Sequence, residues 1–192
     1  MPDLQSGRPA RRYTVEEFQA LGDPGGPVRG HAMLFAGEVV EPPYLNHAVC
    51  CAITMTRDAL SDVIGPRFTV RQRMSLVVGT DTDLVPLIAV VPGSPREMPE
   101  NPMTAELVVE IQDTSFDPIV RRNTPYYAAA GIADYWVLDQ NNNQLIVHRD
   151  PRTDSTNPFG AAYSTVTTFA KGQTVAPLAA LTANVNVGDL LP

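Results

Sequence analysis

The chain has 192 residues, 44% hydrophobic and 18% charged, enough for one domain with a real core and the composition of a soluble globular protein. Its formal net charge of -7 argues against a surface dedicated to non-specific nucleic-acid binding, which is basic, and suits a carboxylate-rich site that works with a divalent cation. Cys50 and Cys51 are neighbours, so no disulfide framework is expected, and with no apolar leader or membrane-length apolar run in the chain the expectation is a cytoplasmic protein.

In chain order, residues 1–12 are expected to form a disordered arm and residues 13–192 a single domain. Thr14 and Glu17 make a capping box that opens a short helix to Leu21. A Gly- and Pro-rich loop from Gly22 to Pro27 ends it. His31–Phe35 and Glu38–Val40 read as a hairpin around Ala36-Gly37, closed by Glu41-Pro42-Pro43. Helical periodicity runs from Leu45 to Val63, and Gly65-Pro66 stops it. Phe68–Arg73 alternates as a strand, with Met74–Val78 as its extension. Gly79–Asp83 is a polar turn. Leu84–Val91 is apolar throughout, interrupted by Pro86, and reads as one buried strand. Residues 92–102 form a Pro-rich loop.

The segment from Leu107 to Asp139 organises the rest. Leu107-Val108-Val109-Glu110-Ile111 is a buried-type strand holding one carboxylate, which is costly unless paired or bound to a metal. Asp117-Pro118 starts a helix as N-cap and first helical residue, and Gly131 stops it. Asp134–Asp139 returns as a second strand, giving a βαβ-like unit. Asn141-Asn142-Asn143 is a turn, Gln144–Arg149 a strand pairing back as a hairpin, and residues 150–160 a loop. Tyr163–Phe169 is a further strand, and Val187–Leu191 a last turn of structure. The element order predicts an α/β (α+β) fold, a mixed sheet flanked by helices.

Several strings point to a family: TVEEF at 14–18, GEVVEPP at 37–43, His47 opening the long helix, the Pro86–Val91 strand, LVVEI at 107–111 and YYAAAGIADYWVLD at 126–139. From about Tyr13 to Leu191 the chain resembles the bacterial Uma family of restriction-endonuclease-like proteins, within the PD-(D/E)XK nuclease superfamily. The resemblance implies a restriction-endonuclease-like core and phosphodiester hydrolysis of DNA with Mg²⁺ or Mn²⁺. Carboxylates on adjacent strands would hold the cation, which lowers the pKa of a bound water, and a Lys would neutralise the developing charge.

Carried over residue by residue, the pattern is incomplete. The first metal carboxylate falls on Leu87, and an upstream Glu falls near Met33. The second strand's Glu matches Glu110. The helix Lys falls on Asn123, with Arg122 beside it as a candidate displaced cation. Asp83 replaces the lost carboxylate only if its turn folds back. Gln112 shares a strand face with Glu110, as a water-orienting group or a structural Gln. His47 matches a family position near the site. For Glu110 two readings stand: a metal ligand, or a buried Glu paired with Arg122 or the backbone. His47, Cys50 and Cys51 share a helix face as zinc ligands would, but nothing supplies a third and fourth ligand, so core packing is expected. Arg67, Arg71 and Arg73 form either a phosphate-contacting stripe or a solvated face. Trp136 and Tyr135 are expected in the core. Two functional classes follow. One is a metal-dependent endonuclease of weak or altered activity. The other is a non-catalytic binding or scaffolding module, acting as a homodimer.

Overall fold

The computed structural model describes residues 11–22, 32–42, 44–98, 100–114, 117–157 and 159–192; the predicted arm up to residue 10 and the hairpin's first residue, His31, lie outside them. Helix α1 (Val15–Leu21) starts where the capping box predicts. Thr14 Oγ1 accepts from the Glu17 N–H at 3.2 Å and the Glu17 carboxylate accepts from the Thr14 N–H at 3.0 Å. Strands β1 (Met33–Phe35) and β2 (Glu38–Val40) form the predicted hairpin. Its two turn residues, Ala36 and Gly37, both have positive φ, 48° and 80°, the geometry that matches the twist of the flanking strands. Helix α2 (His47–Val63) is capped by the Asn46 side chain, which accepts from the Val49 N–H at 3.0 Å.

Strand β3 (Phe68–Gln72) does not continue as predicted. Arg73 takes φ +50° and turns the chain away, so β4 (Leu76–Val77) joins a different sheet. Leu84–Val91 likewise splits at Pro86, which has no N–H for a ladder. Its start lies in β5 (Asp83–Leu84) and its end in β6 (Ile88–Pro92), in separate sheets. Strand β7 (Leu107–Gln112), helix α3 (Asp117–Ala129) and strand β8 (Asp134–Asp139) make the predicted unit, with β7 and β8 parallel. Gly131, φ +75°, closes α3: its N–H donates to Ala128 O and the Ile132 N–H to Tyr127 O, both at 3.0 Å. Strand β9 (Gln144–Thr153) outruns its predicted end because Asp150, at φ +56°, carries the strand through Asp150-Pro151. Strand β10 (Ala161–Ala170) pairs with it, and β11 (Thr174–Val175) with β12 (Val185–Asn186) form a small ribbon before a last 3₁₀ turn at Val187–Leu190.

The main sheet has six strands in the order β10-β9-β8-β7-β6-β3; a second, four-stranded sheet is ordered β2-β1-β5-β4. Within the main sheet β7 and β8 alone run parallel, as a βαβ crossover requires. On one face α2 buries Val49, Ala52, Ile53 and Leu60 against Ile88, Val109, Ile111, Trp136 and Leu138. On the other, Val120 and Tyr127 of α3 join Met33, Leu76 and Leu84 of the second sheet over Val108, Tyr135 and Val137. Trp136 and Tyr135 are core residues, as expected, both fully buried. Fully buried Asp134 pins the β8 start. It accepts from Arg149 Nε, Trp136 Nε1 and the Leu178 N–H, each at 2.8 Å, so its charge is compensated on every side. Among the described residues no helix is long and apolar enough to cross a membrane.

Candidate functional site

Glu110 sits in the middle of β7, a strand paired on both sides. Alternation sends Val109 and Ile111 toward α2, and Val108 and Glu110 toward α3. Helix α3 meets this face with Val120, Asn123 and Tyr127, one stripe at spacings of three and four residues, all buried. The Tyr127 hydroxyl donates to Glu110 Oε1 at 2.9 Å. Burial pushes the Glu110 carboxyl up from 4.5 to about 7, against smaller opposing pulls from Tyr127, the Leu87 backbone N–H, the Asn123 amide and the Arg122 charge. Burial and the adjacent Glu110 also push Tyr127 far above its usual range, so it stays a hydrogen-bond donor.

A crevice of about 20 Å³ opens beside Glu110, lined by Met33, Pro42, Leu45, Arg73, Val85, Leu87, Ile119 and Asn123. The four positions that the motifs align with a nuclease centre, Met33, Leu87, Glu110 and Asn123, therefore meet at one place. They come from β1, the β5–β6 link, β7 and α3. Their chemistry is not that of a metal cage. A hard divalent cation needs six or more oxygens, with one or two carboxylates at the least. The crevice offers one carboxylate, together with the thioether of Met33 and the isobutyl group of Leu87. The Asn123 carbonyl already accepts from Arg122 Nε at 3.2 Å, and Arg73 adds positive charge. Mg²⁺ and Mn²⁺ do not fit this donor set, and among the described residues no group of three or more His, Cys, Asp or Glu side chains could hold a metal ion.

The other candidate residues lie apart from the crevice or face away from Glu110. Asp83, the candidate replacement ligand, is not brought to Glu110. It is buried in β5, where its Oδ2 accepts from Gln19 at 3.4 Å and its Oδ1 has no hydrogen-bond partner among the described residues. Burial raises its pKa, opposed by Gln19, Ser75 and the Arg71 charge. Arg122 does come near Glu110, but its guanidinium lies 4.0 Å over the Phe35 ring instead of closing an ion pair. Burial lowers its pKa. Gln112 stands at the β7 end, half-buried opposite Asp139, outside the crevice. His47 is the exposed first residue of α2, with its Nε2 3.5 Å from Cys51 Sγ. Cys50 is exposed and Cys51 half-buried, which corrects the core expectation: the buried stripe of α2 is Val49, Ala52, Ile53, Thr56 and Leu60. The arginine stripe is also undone. Arg71 is buried and donates to Ser75 O at 3.2 Å, while the left-handed turn puts Arg73 at the crevice.

Two participants escape sequence reasoning, Tyr127 and Arg73. The Tyr127 contact was readable from the 120/123/127 stripe once Glu110 was placed under the helix. Arg73 was not, since only its backbone conformation aims it there.

The parallel central pair, the crossover helix and the lone carboxylate beneath it define a protein of nuclease fold. The architecture is similar to the crystal structure of a putative nuclease belonging to DUF820 from Anabaena variabilis. The TM-score is 0.70 with 18% identity, over 93% of this chain and 97% of that one; at that identity the likeness is one of fold. Among curated proteins none matches the chain. The family Uma2, described as "Putative restriction endonuclease", matches residues 15–186, and the chain belongs to it.

Proposed function

We propose that this chain is a restriction-endonuclease-like protein whose metal-dependent hydrolysis of phosphodiesters is weak or lost. The crevice carries the reading. The positions aligned with a metal-binding centre converge there, yet only Glu110 keeps a carboxylate, and Leu87, Met33 and Asn123 supply no ligand for a hard cation. The space left, about 20 Å³, holds about one water. What the residues support is proton chemistry on a small scale. Near neutral pH Glu110 gains and loses a proton at an oxygen held against Tyr127, within reach of the Arg122 charge.

A second reading, a cytoplasmic binding or scaffolding module on the same fold, draws on one further observation: two of the three replacements, Met33 and Leu87, are apolar and line the crevice. DNA remains the substrate class for residual activity.

Nicking of supercoiled DNA with Mg²⁺ or Mn²⁺ tests the proposal. The wild-type chain is expected to give no nicking above the level of Glu110→Gln. Restoring Leu87→Asp, Met33→Glu and Asn123→Lys together is expected to raise nicking that Glu110→Gln then removes. Efficient cleavage by the wild type, abolished by Glu110→Gln alone, would overturn it.

A further inference from the structure

Among the described residues the main sheet ends in two edge strands, β3 and β10, and they are built differently. Strand β3 is short, contains Arg71 and is flanked by Arg67 and Arg73, the charged protection that natural edge strands use against pairing. Strand β10 runs for 10 residues without a charge or a proline. Ser164 through Thr168 are all exposed, and Val166 is 56% exposed. In an antiparallel pair, alternate residues turn their N–H and C=O away from the neighbour. Among the described residues, no backbone hydrogen bond closes the outer side of this stretch.

We propose that β10 is the docking edge for a second copy of this chain, paired antiparallel about a two-fold axis at Val166. Two six-stranded sheets then become one continuous sheet. A second copy fits because the centre of the strand, residues 164–168, reads alike in both directions. About Val166, Thr165 meets Thr167 and Ser164 meets Thr168 of the second copy. Thr–Thr and Ser–Thr cross-strand pairs are favourable, and a two-fold interface demands this kind of self-complementarity. Charge fits as well. Each copy carries a net charge of -7, yet along β10 no like charges are brought face to face. Because the bodies repel while the edge is neutral, added salt should tighten the dimer, the opposite of an interface held by ion pairs. This inference goes beyond the proposed function and holds whether or not the crevice is catalytic.

Sedimentation equilibrium on the full chain tests it, using Val166→Lys, Val166→Glu and their equimolar mixture, with circular dichroism to confirm folding. Dimerisation of the wild type, strengthened by salt, is expected. Either variant alone raises the dimer dissociation constant at least about tenfold, since like charges then oppose each other at the axis. The mixture recovers the dimer, because Lys then faces Glu. If either substitution unfolds the chain, the double variants Thr165→Lys/Thr167→Lys and Thr165→Glu/Thr167→Glu, alone and mixed, are read in the same way. A wild type that stays monomeric at about 1 mM, a dimer indifferent to both charges, or a loss that mixing does not restore would each overturn the proposal.

Discussion

Replacing Glu110 by Gln keeps the shape of the side chain and removes its titration. In the fold burial holds the carboxyl at about 7, against an ordinary value of 4.5. The folded state therefore holds a proton that the unfolded chain has already released between those two values. Stability from this group is fully present below pH 4.5, falls as pH rises, and is gone above about pH 7. At about 1.4 kcal/mol for each tenfold change in proton affinity, the loss amounts to about 3 kcal/mol. Glu110→Gln should be spared it, since a neutral amide can still accept from the Tyr127 hydroxyl. Urea unfolding of wild type and variant at half-unit steps from pH 4.5 to 8 measures the difference, in which the other titrating groups cancel. The variant should gain steadily on the wild type and exceed it above pH 7. A difference that changes by less than about 1 kcal/mol across that range would refute the reasoning and place an ionised, well-solvated carboxylate at the crevice.

Tyr127→Phe removes the hydroxyl that donates to Glu110 at 2.9 Å. It should cost about 1–3 kcal/mol at pH 8 and move the Glu110 transition to still higher pH in the same urea series, because the lost bond favours the charged form. Asp134→Ala strips Arg149, the Trp136 indole N–H and the Leu178 N–H of their shared acceptor. A loss of about 3–5 kcal/mol is expected, read as a large drop in the thermal midpoint, with Trp136 fluorescence as the probe.

Local signals fixed much of the fold. The capping box at Thr14, the Ala36-Gly37 turn and the Gly131 stop each sit where their backbone chemistry demands. The 107–139 unit was legible because its strand and helix periods are strong and its ends are punctuated. Two of the strand errors share one cause. Arg73 and Asp150 adopt left-handed backbone without being Gly, and no local pattern announces that. Arg73 diverts β4 into the second sheet and Asp150 extends β9 through residues that read as a loop, while Pro86 parts β5 from β6. At the site, the convergence of Met33, Leu87, Glu110 and Asn123 followed from aligned motifs. The partner of Glu110 needed one step more, the 120/123/127 stripe of α3 laid over β7, because Tyr127 reaches it across the sheet–helix packing. Cys50 and Cys51 misled because their residue type favours burial, whereas the helix phase set by Val49, Ala52 and Ile53 leaves them outside.

The central claim is that the residues gathered around Glu110 do not hold a divalent cation. Calorimetric titration of the wild-type chain with Mn²⁺ at pH 8, where Glu110 is ionised, tests it most directly. The account predicts no saturable binding tighter than about 1 mM. One-site binding at about micromolar affinity that disappears in Glu110→Gln would contradict it.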